Sequence, residues 1–224
     1  MAIINNDNNL LSDTAIELLG EKFREFLTLM TYYQCAIMEV ETKLNVLNEE
    51  FSLQHDRNPI QSIKTRLKSP VSIKKKLESK NLPISVETME NELTDIAGIR
   101  VICSFPEDVY TIADALLSQD DIELIERKDY IANPKPNGYR SLHLIVQIPI
   151  FLEKKKKPMK VEVQLRTIAM DFWASLEHQI KYKKKVNNTQ EIATELFECA
   201  ELSAQLDARM DAVRKKLEQK TISL

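Results

Sequence analysis

The sequence predicts an α/β (α+β) protein, a mixed β-sheet flanked by helices with long helices at its N- and C-terminal ends. Three observations carry this. From about Leu18 to Phe51, the residues Phe23, Phe26, Met30, Tyr33, Ile37, Val40, Leu44, Leu47 and Phe51 follow one another at alternating spacings of three and four, a heptad-like seam on a long helix. A second such series, Ile192, Leu196, Cys199, Ser203, Leu206, Met210, Val213 and Leu217, marks a last helix from about Thr189 to Leu217. Between them, apolar runs bounded by turn signals read as strands: Ile99 to Phe105, Leu142 to Phe151 and Met159 to Arg166. The chain is accordingly divided into an N-terminal helical region over 1–55, a core over 56–185 and a C-terminal helix over 186–224 that is expected to serve oligomerisation.

At 224 residues the chain makes one moderate domain, or one domain with helical extensions. Its net charge of -3 excludes a bulk nucleic-acid-binding character and leaves room for a local basic site. The three cysteines, Cys35, Cys103 and Cys199, have neither metal-ligand spacing nor a CxxC pair, and read as reduced, buried thiols of a cytoplasmic protein. No apolar stretch approaches the length that spans a bilayer. The Asn-rich segment Met1 to Leu10 has neither signal-peptide nor transit-peptide character. With only Gly20, Gly98 and Gly138, no glycine-rich phosphate loop can be built, so any phosphate must be held by Lys and Arg side chains.

In chain order, Ser12 before Asp13 and Glu17 suits the start of the first helix. That helix packs on its own domain or also meets a partner subunit. Leu53 to Ser62 is a break. Its His55-Asp56 pair is rejected as a metal phosphohydrolase site, because His143 and His178 belong elsewhere and no further ligands converge. Ile63 to Lys80 is basic, with a turn at Ser69-Pro70 and a helix starting at Ser72. Its cations are interleaved with Ile63, Leu67, Ile73 and Leu77, so it packs on one side and offers charge on the other. Val86 to Thr94 reads as an acidic helix. Arg100 is unusual within the Ile99–Phe105 run, since a charge there needs an anionic partner. Strict alternation places Asp95 and Arg100 on opposite faces. They share a site only if Gly98 bends the chain or Asp95 belongs to the preceding helix end.

Pro106 to Leu117 is a helix with proline in its first turn. Ile122, Leu124 and Ile125 make a strand that leads into Arg127-Lys128-Asp129. Asn133-Pro134-Lys135-Pro136-Asn137-Gly138 is a turn, because proline restricts φ and Asn-Gly supplies positive φ. Tyr139, Arg140 and His143 follow it at a strand mouth, a set that suits a planar anionic ligand. Lys154 to Lys157 reads as an exposed hairpin tip. On the closing strand Val161, Val163 and Leu165 share one face, and Glu162, Gln164 and Arg166 the other. Thr167 to Tyr182 is helical, with Ile168, Phe172, Trp173 and Leu176 as core. Physically, the basic segment, two acids from different strands and a turn bearing Lys, Tyr and His suit Mg²⁺-assisted chemistry on a polyphosphate. A tyrosine at the turn can stack on a base.

These segments resemble the RelA/SpoT-type alarmone synthetases, most closely the small single-domain RelP/RelQ type. The resemblance covers roughly Ile60 to Lys184. It rests on Arg66-Leu67-Lys68-Ser69-Pro70 with Ser72-Ile73, on Asp95 to Arg100, on Lys128 to His143 and on Val161 to Thr167. It implies a nucleotidyltransferase-like synthetase core over 56–185 and transfer of the β,γ-pyrophosphate of ATP to the ribose 3′-hydroxyl of GDP or GTP. The products would be AMP and the alarmones ppGpp or pppGpp of the stringent response. It further implies Asp95 and Glu162 as the catalytic, magnesium-holding pair, with Glu162 also placed to accept the hydroxyl proton. Arg66 and Arg100 would sandwich adenine, and Lys68, Ser72 and Lys76 would hold the ATP phosphates. Tyr139 would stack on guanine, with Lys128, Lys135, Asn137, His143 and Asp171 completing the GTP/GDP side.

Two departures stand out. Lys128 replaces a frequent arginine, keeping the charge and losing the fork. Asp171 replaces an asparagine that reads the guanine edge in some relatives. The hydrolase domain of long relatives has no counterpart, so synthesis without degradation is expected, in a cytoplasmic homo-oligomer, a tetramer as in the family. RNA or an alarmone remains open as a regulator. Competing readings are a same-fold enzyme acting on tRNA 3′ ends, favoured by the Lys154–Lys157 and Lys181–Lys185 clusters, and a non-catalytic nucleotide- or RNA-binding regulator.

Overall fold

The computed structural model describes residues 13–55, 57–183 and 189–221. Met1 to Leu10, Ser12, Asp56 and the Lys184-Lys185 end of the second lysine cluster lie outside them. The elements run α1 (Asp13–His55), β1 (Ile60–Leu67), α2 (Pro70–Ser79), α3 (Val86–Glu92), β2 (Ala97–Cys103), α4 (Pro106–Leu117), β3 (Glu123–Asp129), β4 (Leu142–Phe151), β5 (Lys156–Thr167), α5 (Ile168–Lys183) and α6 (Thr189–Thr221). The five strands form one mixed sheet in the order β1-β2-β5-β4-β3. The β2–β5 pair is parallel and the other neighbours are antiparallel.

The two faces of the sheet differ because side chains alternate along each strand. Ile99 and Val101 of β2, Val161, Val163 and Leu165 of β5 and Leu142, Leu144 and Val146 of β4 are buried together in the core. Helix α1 packs against β1, β2, β4 and β5. Its seam from Tyr33 through Ile37, Val40, Leu44 and Leu47 is buried within that core. Phe23, at the N-terminal end of the seam, is exposed.

Four sequence expectations need correction. β1 is a strand where a break and a basic stretch are expected. It is an edge, with Lys64, Thr65 and Arg66 exposed, so it lacks the apolar alternation that announces a strand. In α5, Trp173 is buried, but Ile168, Phe172 and Leu176 are exposed, and Met170 takes the inner position instead. In α6 the seam does not form one buried stripe. Ala200 and Asp207 face inward, while Leu206, Met210, Val213 and Leu217 are each more than half exposed. Only Cys103 of the three thiols is buried; Cys35 is half-buried and Cys199, on the α6 seam, is exposed.

Candidate active site

Strand register builds the site. Lys64 and Arg66 of β1 pair with Arg100 and Gly98 of β2. Gly98 and Arg100 pair with Glu162 and Gln164 of β5, which pair in turn with Ile145 and His143 of β4. His143 and Ile145 then pair with Lys128 and Glu126 of β3. These residues share the sheet face opposite the α1 seam. The register shift between Leu124 and Glu126 matters here: Leu124 pairs with Val146, on the core face, and the bulge after it turns Glu126 and Lys128 to the site face.

Asp95 reaches the same space from outside the sheet. It lies in the connection between α3 and β2, so strand alternation does not govern it, and no bend at Gly98 is required. The chain there is tied to the β1–α2 junction by Lys68 N–H donating to the Ile96 carbonyl at 2.8 Å. Lys68 Nζ and Lys76 Nζ converge on Asp95 Oδ2 at 2.5 and 2.6 Å. Lys76 is delivered by α2, which Ser69 caps by accepting from Ser72 N–H, with Pro70 in its first turn. Burial opposes the charge on Asp95, but the two lysines outweigh it and hold the carboxyl below its ordinary value. Among the described residues Asp95 Oδ1 is buried without a hydrogen-bond partner.

Two cavities meet at Asp95 and Glu162. One, of about 430 Å³, is lined by Lys64, Arg66, Lys68, Gly98, Arg100 and Gln164 together with both carboxylates. The other, of about 230 Å³, is lined by Lys76, Glu126, Lys128, Tyr130, Lys135 and His143 with the same two carboxylates.

Glu162 belongs to a ring of polar contacts, four of them hydrogen bonds and one a longer ion-pair contact. His143 Nδ1 lies 3.5 Å from Glu162 Oε1, and His143 Nε2 lies 2.8 Å from the Tyr139 hydroxyl. Arg166 Nη2 donates to that hydroxyl at 2.6 Å and to Gln164 Oε1 at 3.0 Å. Gln164 Nε2 closes the ring on Glu162 Oε2 at 3.0 Å. Burial raises the affinity of Glu162 for a proton. The hydrogen bond and charge of His143 and the Gln164 amide more than offset it, so the carboxyl lies below its ordinary value.

The turn before Tyr139 is built as its residues dictate. Gly138 has φ of 85°, the left-handed region, and Lys135 accepts from Gly138 N–H at 2.8 Å. Lys135 Nζ sits 4.4 Å from the ring centroid of Tyr130 and 4.9 Å from that of Tyr139.

The structure brings Arg66, Lys68, Lys76, Asp95, Arg100, Lys128, Lys135, His143 and Glu162 to the two cavities. Four implied residues sit otherwise. Tyr139 lines neither cavity; it stands beside the smaller one with its hydroxyl taken by His143 and Arg166. The Ser72 hydroxyl is 2.9 Å from that of Ser69, within the α2 cap. Asn137 donates to Glu177 Oε1 at 3.1 Å and lines a separate hollow beside α6. Asp171 is taken up by cations: Arg166 Nη1 at 3.2 Å and Arg100 Nη1 at 3.3 Å on Oδ1, and Lys64 Nζ at 3.4 Å on Oδ2. In this arrangement it organises guanidinium groups rather than presenting free oxygens to a guanine edge. Glu126, Tyr130, Gln164 and Arg166 are site residues that the motif carry-over leaves unassigned. Alternation on β5 already marks the last two.

A family profile described as a region found in RelA / SpoT proteins matches residues 65–187. The chain is also 40% identical over 208 residues to the GTP pyrophosphokinase YwaC of Bacillus subtilis, covering 93% of this chain and 99% of that one. The chain belongs to the RelA/SpoT family. As in its relatives, the fold is that of a small alarmone synthetase. The crystal structure of small alarmone synthetase 2 from Bacillus subtilis matches with a TM-score of 0.78 at 40% identity, over 86% of this chain and 99% of that one. Small alarmone synthetase 1 from the same organism, bound to its product pppGpp, matches with a TM-score of 0.74 at 33% identity, over 82% and 93%. Within this RelA/SpoT fold the matched span takes in nearly all of β1 to α5, the segment that carries both carboxylates.

Proposed function

We propose that this protein is a GTP pyrophosphokinase that transfers the β,γ-pyrophosphate of ATP to the ribose 3′-hydroxyl of GDP or GTP, yielding AMP and ppGpp or pppGpp. The observation that carries this reading is the pair of cavities sharing Asp95 and Glu162 as a common wall. Two nucleotides seated on either side would bring donor phosphates and acceptor hydroxyl together at the carboxylates, and such positioning is most of what phosphoryl-type transfer asks of a protein.

ATP occupies the larger cavity. Arg66 and Arg100, diagonal across Gly98 on neighbouring strands, offer guanidinium planes to adenine. Gly98 leaves the floor between them without a side chain. Lys68 and Lys76 move from Asp95 to the phosphates, with Ser72 at the start of α2 near that path. The guanosine nucleotide takes the smaller cavity, with Tyr139 stacking on the base and Lys128, Lys135 and His143 holding phosphates and ribose. Asn137 supports the turn that carries the tyrosine.

The carboxylates fit a magnesium ion. Among the described residues Asp95 Oδ1 is buried and unpartnered, Glu162 faces the same space, and two carboxylates plus substrate phosphates are the usual donor set for this ion. Bound there, magnesium would neutralise charge on the transferring group. Glu162, ionised at neutral pH and oriented by His143 and Gln164, accepts the proton from the attacking hydroxyl. The protein is further proposed to work as a cytoplasmic homo-oligomer, a tetramer, for which the exposed apolar residues of α6 give a contact surface.

The test is direct. Purified protein with Mg²⁺, ATP and either GDP or GTP is expected to yield AMP and a guanosine species more strongly retained on anion exchange. Glu162→Gln should lower turnover by about 10³-fold with the melting temperature unchanged. Unchanged guanosine nucleotides, with labelled γ-phosphate reaching tRNA instead, would reject the assignment.

A further inference from the structure

The acceptor-side turn is bolted to a helix that contributes nothing to either cavity at the carboxylates. Arg140, next to Tyr139, donates from Nη1 to the Gly138 carbonyl at 3.2 Å and to the Ala200 carbonyl at 3.5 Å. Its Nη2 donates to Glu201 Oε1 at 2.9 Å. On the other side of the tyrosine, Gly138 lies so close to α6 that an added Cβ would stand 2.5 Å from Ala200 Cβ. Both chain neighbours of Tyr139 are therefore held by one turn of α6. That turn is itself seated by Trp173 Nε1 donating to the Leu196 carbonyl at 2.8 Å and Ser203 Oγ donating to the Ala169 carbonyl at 3.0 Å.

We infer that α6 is part of the acceptor-binding machinery, and that Arg140, latched to Glu201, is a positioning residue that sets where Tyr139 meets the guanosine nucleotide. The inference rests on the acceptor-side assignment of Tyr139 made above. An exposed ion pair would be too weak for this role. Arg140, however, is only 16% exposed and binds two carbonyls as well as the carboxylate, so its loss leaves several groups unpaired. Glu201 is nearly half exposed, so it can be replaced without emptying the core. The latch acts on the turn alone, because Arg66, Arg100 and Lys76 are carried by β1, β2 and α2 and Lys68 by the β1–α2 junction.

The experiment measures separate Michaelis constants for ATP and the guanosine nucleotide in Arg140→Ala, Arg140→Lys, Glu201→Ala and the exchange Arg140→Glu with Glu201→Arg. Trp173 is the sole tryptophan, so its emission reports the seating of α6. The guanosine KM is expected to rise about tenfold in Arg140→Ala, the change that about 1.4 kcal/mol of lost binding produces. It should rise a few-fold in Glu201→Ala, and Arg140→Lys should fall between wild type and Arg140→Ala. The ATP KM should stay within about twofold, Trp173 emission should be unmoved in Glu201→Ala, and the exchange should recover part of the loss that Arg140→Glu alone causes. A guanosine KM unchanged in both alanine variants would overturn the inference. So would equal losses toward both substrates together with red-shifted emission, the mark of a merely structural contact. Tyr139→Ala separates the two readings. If it raises the guanosine KM and the Arg140 variants do not, the latch alone falls. If it leaves that KM unchanged, the acceptor-side assignment falls and the inference with it.

Discussion

Helices α1 and α6 are both long, and both carry apolar residues at alternating spacings of three and four, yet they are held by different forces. The α1 seam lies on the sheet, with Tyr33, Ile37, Val40 and Leu44 buried among strand residues. α6 docks through a polar and small-residue face. Thr167 Oγ1 donates to Asp207 Oδ2 at 2.5 Å, Ser203 reaches the Ala169 carbonyl, and Arg214 binds Glu107 Oε2 of α4 at 2.6 Å. Its apolar residues Leu202, Leu206, Met210, Val213 and Leu217 point outward. Spacing alone thus identifies a helix with an apolar stripe but not what covers the stripe. α1 is stabilised by area removed from water, α6 by hydrogen bonds whose geometry ties it to the turn that carries Tyr139.

The contrast can be broken at its strongest point first. Leu44→Ala should cost about 2–5 kcal/mol by urea denaturation, as a cavity in a packed core does. Leu206→Ala, measured where the chain is monomeric, should stay within about 0.5 kcal/mol. Equal losses would mean that α6 is held as α1 is. Next, Thr167→Val should cost about 1–3 kcal/mol, because it leaves a buried carboxyl without its donor, and the same substitution should red-shift Trp173 emission.

The pH dependence sharpens the same point. Burial raises the Asp207 carboxyl above its ordinary 3.8, Asp211 adds to the rise, and the Thr167 bond opposes it. A folded-state value above the unfolded one favours the protonated native state. The contribution of Asp207 is therefore greatest below 3.8 and is lost as pH rises through the folded value. Asp211 runs the other way: burial opposes its charge, but Arg214 and Lys215 hold it below 3.8, so its contribution is present above 3.8 and lost on acidification. Urea midpoints from pH 4 upward should show wild type losing ground to Asp207→Asn. A constant difference would refute the assignment. The smallest expected effect on chain stability is that of Leu206→Glu combined with Met210→Glu, which should leave the monomer's urea midpoint unchanged while light scattering shows loss of the proposed oligomer.

Much of the fold is legible because it is local. Proline at Pro106 and the apolar period place α4 at the residues observed, and β4 likewise runs from Leu142 to Phe151. The Asn-Gly turn appears with Gly138 at positive φ. β1 escapes notice because an edge strand can carry Lys64, Thr65 and Arg66 in water. The bulge that turns Glu126 and Lys128 into the site leaves no mark in the sequence, since register is decided by pairing with β4. Asp171 shows the same limit: its motif position suggests a base contact, whereas three cations from β1, β2 and β5 converge on it.

The sequence by itself determined most of the helices, the strand faces of β2, β4 and β5 and the Asn-Gly turn before Tyr139. Those follow from backbone chemistry and side-chain period within a few residues. Tertiary structure decided that Asp95 meets Glu162 from outside the sheet and that Gln164 and Arg166 join Glu162 in one polar ring. It also decided that α6 turns a polar face inward to hold the tyrosine turn. These depend on register and packing between segments far apart in the chain, where the free energy of a contact belongs to both partners and neither segment alone encodes it.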